Sequence, residues 1–167
     1  MPPMRLSGPV VFAAAKHRYT VTVDLDCTPN RLFDVLEDAD AWPVWCKPIE
    51  SVEWTTAPPH HVGTTRTVRM VGGIELTERF TAWDRGRHMQ FVFTSFPYPG
   101  IDGFGEDYRV TDLGDGRCRL KWTMVLAPTA GVSAAVIGLT GWTTKFALQR
   151  LANGLAAYVR DRIPAAV

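Results

Sequence analysis

The chain lacks the residue patterns that usually bind metals or phosphates. Its three cysteines, Cys27, Cys46 and Cys118, are scattered and form no C-x-x-C or short Cys/His spacing, which argues against a disulfide framework and a zinc site. The sequence also has no glycine-rich phosphate loop and no recognisable nucleophilic triad. We therefore expect no metal, no cofactor and three reduced, mostly buried thiols.

The chain also has no excess of positive or negative side chains. Eighteen basic and seventeen acidic residues give a net charge of +1, so the chain as a whole has no electrostatic attraction to nucleic acid or to an anionic membrane. The apolar stretch from Pro9 to Ala15 is short for a signal peptide and far too short to span a bilayer. We expect a cytoplasmic protein without integral membrane association, comprising an N-terminal extension (1–16) and a single domain (17–167).

The first ordered elements are predicted to be one strand and two short helices. Residues His17 to Asp26 alternate between apolar and polar, which is typical of a half-buried strand. Thr28 is a good N-cap and Pro29 suits the first helical position. A second, shorter helix is predicted around Trp42-Pro43-Val44-Trp45.

The middle and end of the chain predict an antiparallel meander followed by a long helix. Short turn sequences rich in glycine and proline separate the strands. From Gly141 to Ile163 there is no proline, and apolar residues follow a helical stripe. The strands are predicted at Ile49 to Thr56, Thr64 to Val71, Ile74 to Asp84, Arg87 to Phe96, Gly103 to Leu113 and Arg117 to Ala127.

Three local motifs carry a family resemblance: Thr28 to Leu36 (TPNRLFDVL), Trp42 to Trp45 (WPVW) and Phe80 to Asp84 (FTAWD). With the order of elements, they resemble the polyketide cyclase/dehydrase and lipid-transport group of the START-like (SRPBCC) superfamily, which includes the Bet v 1-like fold. The resemblance spans about Arg18 to Arg162. It implies an α+β helix-grip fold, with a strongly curved antiparallel sheet of about seven strands around a long C-terminal helix. It also implies a cavity that different members use for lipids, sterols, hormones, quinones or aromatic polyketides.

Turn lengths predict which strand residues face each other. A three-residue turn through Gly72-Gly73 pairs Arg66 with Glu78, and an odd loop centred on Asp115 joins the last two strands. A two-residue turn at Arg85-Gly86 would place Asp84 opposite Arg87. The further pairs expected from these turns are Val68–Leu76, Ala82–Met89, Phe80–Phe91, Glu78–Phe93, Val110–Leu120, Tyr108–Trp122 and Glu106–Met124.

Joining these hairpins predicts a row of inward-facing residues across the sheet. The row consists of Arg66, Glu78, Phe93, Glu106 and Met124. Glu78 is expected to be an ionised partner of Arg66, whereas apolar neighbours should raise the pKa of Glu106. The alternative is that these charges are solvated, because a slip of one residue in any register would move a charge to the outer face.

The leading functional hypothesis is binding of a small hydrophobic molecule: aromatic, polyketide-like, a quinone or a lipid. The alternative is a polyketide cyclase or aromatase, in which Glu106 would be the acid/base and Arg66 or Tyr108 would polarise a carbonyl. A third alternative, an accessory or co-chaperone-like protein, predicts a filled cavity. The expected ligand-binding residues are Arg66, Glu78, Phe80, Phe91, Phe93, Glu106, Tyr108, Trp122 and Met124.

Two surface features leave alternatives open. Trp142 and Phe146 lie off the main stripe of the final helix, so either the segment from Ser133 to Leu139 covers them or they form a homodimer contact. The loop from Pro97 to Ile101 either borders the cavity mouth or is an ordinary connector. His88 has no acidic or nucleophilic partner that is visible in the sequence.

Overall fold

The computed structural model describes residues 4–95, 100–129, 131 and 141–162. Thr28 caps the second helix through its side chain, which accepts a hydrogen bond from the backbone N–H of Arg31, and Pro29 occupies the first turn as predicted. None of the helices in these ranges is long and apolar enough to cross a bilayer. The helices are α1 (Val10–Ala14), α2 (Pro29–Glu37), α3 (Trp42–Trp45) and α4 (Gly141–Arg162).

A curved antiparallel sheet of seven strands forms the body of the fold, in the order β1-β7-β6-β5-β4-β3-β2. The final strand in sequence pairs with the first, and every other neighbour in the sheet is a neighbour in the chain. The predicted helix-grip architecture is therefore confirmed. The strands are β1 (His17–Leu25), β2 (Ile49–Trp54), β3 (Thr65–Met70), β4 (Ile74–Asp84), β5 (His88–Ser95), β6 (Ile101–Gly114) and β7 (Arg117–Pro128).

Helix α4 packs on the sheet through one side. Its buried residues Leu148, Ala152, Leu155 and Val159 recur every three or four positions and join the core formed by the inner face of the sheet and by α2 and α3. The predicted stripe on this helix is confirmed. All three cysteines are free and buried.

Two of the three hairpin registers predicted from turn length are confirmed. Arg66 faces Glu78 across β3 and β4, and Tyr108 faces Trp122 across β6 and β7. The register between β4 and β5 shifts after Phe80, however, so the predicted pairs Ala82–Met89 and Asp84–Arg87 are wrong. The observed pairs there are Ala82–Gln90, Trp83–Met89 and Asp84–His88, whereas Phe80–Phe91 and Glu78–Phe93 are confirmed.

The predicted row of inward-facing residues also needs one correction. Glu106 lies opposite Phe91 and not next to Phe93, because β5 and β6 pair two residues away from the assumed alignment. The connection between these strands is longer than a tight turn, so the sequence contained no turn geometry from which to read their register.

The N-terminal residues cover part of the outer face of the sheet. Val11 is fully buried against Val92 and Val125, beside Leu6 and Phe12. The backbone N–H of Leu6 donates to the carbonyl of Asp102 at 2.7 Å. Two positions of β6 under this segment are glycines. A Cβ atom added at Gly103 would lie 3.1 Å from the side chain of Leu6, and one added at Gly105 would lie 2.9 Å from the ring of Phe12. Small residues in β6 therefore make room for the N-terminal segment.

Candidate functional site

A cavity of about 310 Å³ lies between the inner face of the sheet, the α3 region and α4. Apolar and aromatic side chains make up most of its wall, and three charged residues interrupt it. The cavity is therefore a largely apolar space with a few polar positions, which is the usual form of a small-molecule site. Its lining residues are Trp42, Cys46, Pro48, Ile49, Arg66, Val68, Met70, Ile74, Leu76, Glu78, Phe91, Phe93, Phe104, Glu106, Tyr108, Trp122, Met124 and Leu151.

Two of the charged residues form a buried ion pair. Nε of Arg66 donates to Oε2 of Glu78 at 2.5 Å, and the two residues are 1% and 3% exposed. Burial raises the pKa of Glu78 above its ordinary value, while the guanidinium charge of Arg66 opposes that rise. Because a guanidinium stays protonated at ordinary pH, Arg66 keeps its positive charge, and the short contact favours the ionised form of Glu78.

Aromatic rings surround the guanidinium of Arg66. Its central carbon lies 4.1 Å from the ring centre of Trp42 and between 5.0 and 5.3 Å from those of Trp54, Phe80 and Phe91. These distances are within the range of cation–π attraction, which is stronger in a desolvated site. Nη1 of Arg66 is buried and has no hydrogen-bond partner among the described residues. The guanidinium therefore has Glu78 on one side and the faces of these aromatic rings around it.

Glu106 forms a second polar group on the cavity wall. Its Oε2 accepts one hydrogen bond from the hydroxyl of Tyr108 at 2.8 Å and another from Nε1 of Trp122 at 3.0 Å. In the described part of the chain, Oε1 receives no such bond. The residue is 7% exposed, more than either Arg66 or Glu78, so Glu106 offers the cavity its most accessible charged group.

The surroundings of Glu106 change its protonation behaviour. Burial raises the pKa of this carboxyl to about 7 from an ordinary 4.5. The hydrogen bonds from Tyr108 and Trp122 and the charge of Arg66 favour the ionised form, whereas the charge of Glu78 disfavours it. A carboxyl with such a pKa exchanges its proton near neutral pH, which suits it to general acid or base chemistry.

The structure brings eight of the nine expected ligand-binding residues to this cavity. Phe80 is the exception: it is 1% exposed and packs behind Arg66, against Trp54 and Trp83. Sequence reasoning missed most of the apolar lining. Val68, Leu76 and Phe104 sit two positions along the same strands from Arg66, Glu78 and Glu106, so the alternation of a strand would have identified them.

Several other predictions concern residues away from this cavity. Nε2 of His88 lies 2.7 Å from Oδ1 of Asp107, so the expectation that His88 lacks an acidic partner is wrong. The pair comes from adjacent strands, and only the register between β5 and β6 reveals it. Trp142 and Phe146 are 75% and 65% exposed. The segment 133–139 and most of the predicted mouth loop lie outside the described residues.

Solved structures with the same fold include an aromatase/cyclase. The Zhui aromatase/cyclase from Streptomyces sp. R1128 superimposes with a TM-score of 0.71 and 16% identity, over 89% of this chain and 96% of that chain. A START superfamily protein from Mycobacterium smegmatis gives a TM-score of 0.69 and 13% identity, over 87% of this chain and 98% of that chain. Identities this low establish a shared fold only.

Sequence comparison is more specific. An uncharacterised protein of Mycobacterium tuberculosis is 39% identical over 152 residues, which cover 91% of this chain and 90% of the relative. A relative in Mycobacterium bovis, also uncharacterised, has the same identity and coverage. The profile of the family described as "Polyketide cyclase / dehydrase and lipid transport" matches residues 16–160. With its seven-stranded sheet closed by α4, this chain belongs to the polyketide cyclase/dehydrase and lipid transport family.

Proposed function

We propose that the cavity binds a small hydrophobic molecule that has one polar end. The observation that carries this proposal is Oε1 of Glu106, which accepts no hydrogen bond from the described residues and lies on the wall of a largely apolar cavity of about 310 Å³. Oε1 would accept a hydrogen bond from a ligand hydroxyl when Glu106 is ionised, while the apolar wall would hold the rest of the ligand.

The cavity volume limits the size of this ligand. Ligand pockets in proteins span about 300 to 1,000 Å³, so this cavity lies at the small end. A molecule of one or two aromatic rings, or a short-chain lipid or quinone, fits this volume better than a large polycyclic compound. Phe91, Phe93, Tyr108 and Trp122 line the cavity and supply flat apolar surfaces for such a ligand.

Native mass spectrometry of the purified protein, followed by extraction of any bound molecule, tests the proposal. We expect a stoichiometric small molecule, or micromolar affinity for an aromatic dye such as anilinonaphthalene sulfonate. Leu76→Trp is the control, because Leu76 lines the cavity and a larger side chain would fill it. Empty protein with no affinity for the dye would overturn the proposal.

A cyclase or aromatase-like activity is a second candidate, and the pKa of Glu106 near 7 favours it. Ionised Glu106 would remove a proton from a carbon next to a ketone, and its protonated form would return one during loss of water. Arg66 or Tyr108 would polarise the carbonyl oxygen. Turnover of a poly-ketone analogue that Glu106→Gln abolishes would support this candidate, whereas recovery of unchanged ligand would favour binding alone.

A further inference from the structure

The outward side of α4 carries an unusual exposed surface. Trp142 and Phe146 are 75% and 65% exposed and lie one helical turn apart, and Arg150 follows one turn later. We call these three residues the α4 stripe. Large aromatic side chains at this exposure are uncommon, and two together indicate an interaction surface.

The charges of this helix are of nearly one sign. Helix α4 contains Lys145, Arg150, Arg160 and Arg162, and its single acidic residue is Asp161. Nε of Arg160 lies 3.5 Å from Oδ1 of Asp161, so the acidic group is at the far end from the aromatic pair. The balanced charge of the whole chain therefore conceals a basic helix.

A surface groove runs along the side of α4 next to the stripe. It has a volume of about 620 Å³ and is lined by apolar residues of α3 and α4 and by Pro48. Its charged lining residues are Lys47, Arg150, Asp161 and Arg162, of which Asp161 lies at the end of α4 far from the aromatic pair. Arg150 belongs to both the groove and the stripe, while Pro48 and Leu151 line both the groove and the inner cavity. The groove thus connects the exposed stripe to the outer wall of the cavity.

We propose that the α4 stripe and the basic residues beside it dock onto the surface of a bilayer that contains anionic lipids. Trp142 and Phe146 would enter the interface between headgroups and acyl chains, where tryptophan and phenylalanine are favoured. Lys145 and Arg150 would lie among the phosphates, where each basic residue strengthens binding about fivefold. This docking does not depend on which molecule the cavity binds.

The charge pattern distinguishes a membrane from a second copy of the chain. In a two-fold dimer through the stripe, the same patch would face itself, so Lys145 and Arg150 of both copies would be brought into one interface. The sequence from 141 to 160 contains no aspartate or glutamate that could neutralise them. An anionic bilayer supplies that negative charge, so it complements the surface better.

Vesicle flotation with the full chain tests the proposal. We expect the protein to float with phosphatidylcholine vesicles containing about one third phosphatidylglycerol, at least about tenfold more strongly than with phosphatidylcholine alone. High salt should weaken this binding. The tryptophan fluorescence of the chain should shift to shorter wavelength on binding, because the environment of Trp142, the most exposed large hydrophobic side chain among the described residues, becomes less polar.

Two pairs of variants identify the surface. Trp142→Ser with Phe146→Ser should weaken vesicle binding at least about tenfold, since these side chains lose their burial in the interface. The matched control is Val62→Ser with Val71→Ser, which removes exposed apolar residues at 58% and 61% exposure elsewhere and should leave binding unchanged.

The outcomes that would overturn the proposal are distinct. Absence of flotation with the anionic vesicles would do so, as would equal binding by the Trp142→Ser/Phe146→Ser variant. Sedimentation velocity showing a dimer that this variant dissociates would assign the surface to a second copy instead. Circular dichroism of each variant checks that the fold is intact.

Discussion

Replacing Glu106 with glutamine should change how the stability of the protein depends on pH. Burial raises the pKa of Glu106 to about 7, whereas an ordinary glutamate, as in the unfolded chain, has a pKa of 4.5. At 1.36 kcal/mol per pH unit, this difference corresponds to about 3 kcal/mol. The folded state binds the proton more tightly, so this contribution is complete below about pH 4.5 and is lost as the pH rises through 7.

Glu106→Gln removes this dependence while keeping the shape of the side chain. The amide oxygen can still accept the hydrogen bonds that Tyr108 and Trp122 donate to Oε2. Urea unfolding at several pH values should therefore show the variant gaining about 2 to 3 kcal/mol relative to the wild type between pH 5 and pH 8. The exposed Glu53→Gln is the matched control, because it removes a carboxylate without touching the cavity.

Parallel stability curves for the wild type and Glu106→Gln would refute this reasoning. They would mean that Glu106 titrates at the same pH in the folded and unfolded states, and that water reaches its carboxyl freely. Carbon-13 NMR of the glutamate carboxyls gives an independent measurement, because one resonance should titrate near pH 7.

Three further predictions concern the ion pair, the cavity volume and the outer face. Arg66→Met should lower the free energy of unfolding by about 3 to 5 kcal/mol, because Glu78 would remain buried without its partner, and Glu78→Leu in the same chain should recover much of the loss in urea unfolding. Leu76→Trp should weaken dye binding at least about tenfold in a fluorescence titration, since the larger side chain occupies the cavity. Gly105→Ala should cost about 1 to 3 kcal/mol in thermal unfolding, because the added methyl group would meet the Phe12 ring at 2.9 Å.

Each of these predictions has a contradicting outcome. Arg66→Met with a loss below about 1 kcal/mol would indicate that water solvates Glu78 in the folded state. Unchanged dye affinity in Leu76→Trp would place the dye outside the cavity. Wild-type stability in Gly105→Ala would mean that the Phe12 ring and the carbonyl of Phe91, which the added methyl group would meet at 2.9 and 3.0 Å, adapt without cost. Faster proteolysis near Phe12 would show that the segment leaves the sheet instead.

Local sequence patterns were sufficient for the seven strands, for the helices α2 to α4 and for two of the hairpins, whereas the helix α1 (Val10–Ala14) was not predicted. These patterns are properties of short segments of sequence: the alternation along each strand, the cap at Thr28 and the spacing of apolar residues on α4. Each of them predicted its element correctly. The pairing of Arg66 with Glu78 followed from one three-residue turn, because turn length determines register in a hairpin. The outer contacts of the N-terminal residues involve strands about ninety residues away, so no local pattern indicated them.

The sequence by itself predicted an arginine and two glutamates on the apolar side of the sheet, because the period of a strand assigns every second residue to one face, and it left open a slip of one residue that would move them outward. Only the tertiary structure determined which partners these charged side chains have and how deeply they are buried. The shift after Phe80 is an irregularity within a hairpin that its short turn does not specify, and the pairing of Phe91 with Glu106 joins two strands that no tight turn connects. Those contacts, together with α3 and α4, enclose the cavity and bury Glu106, and that burial raises its pKa to about 7.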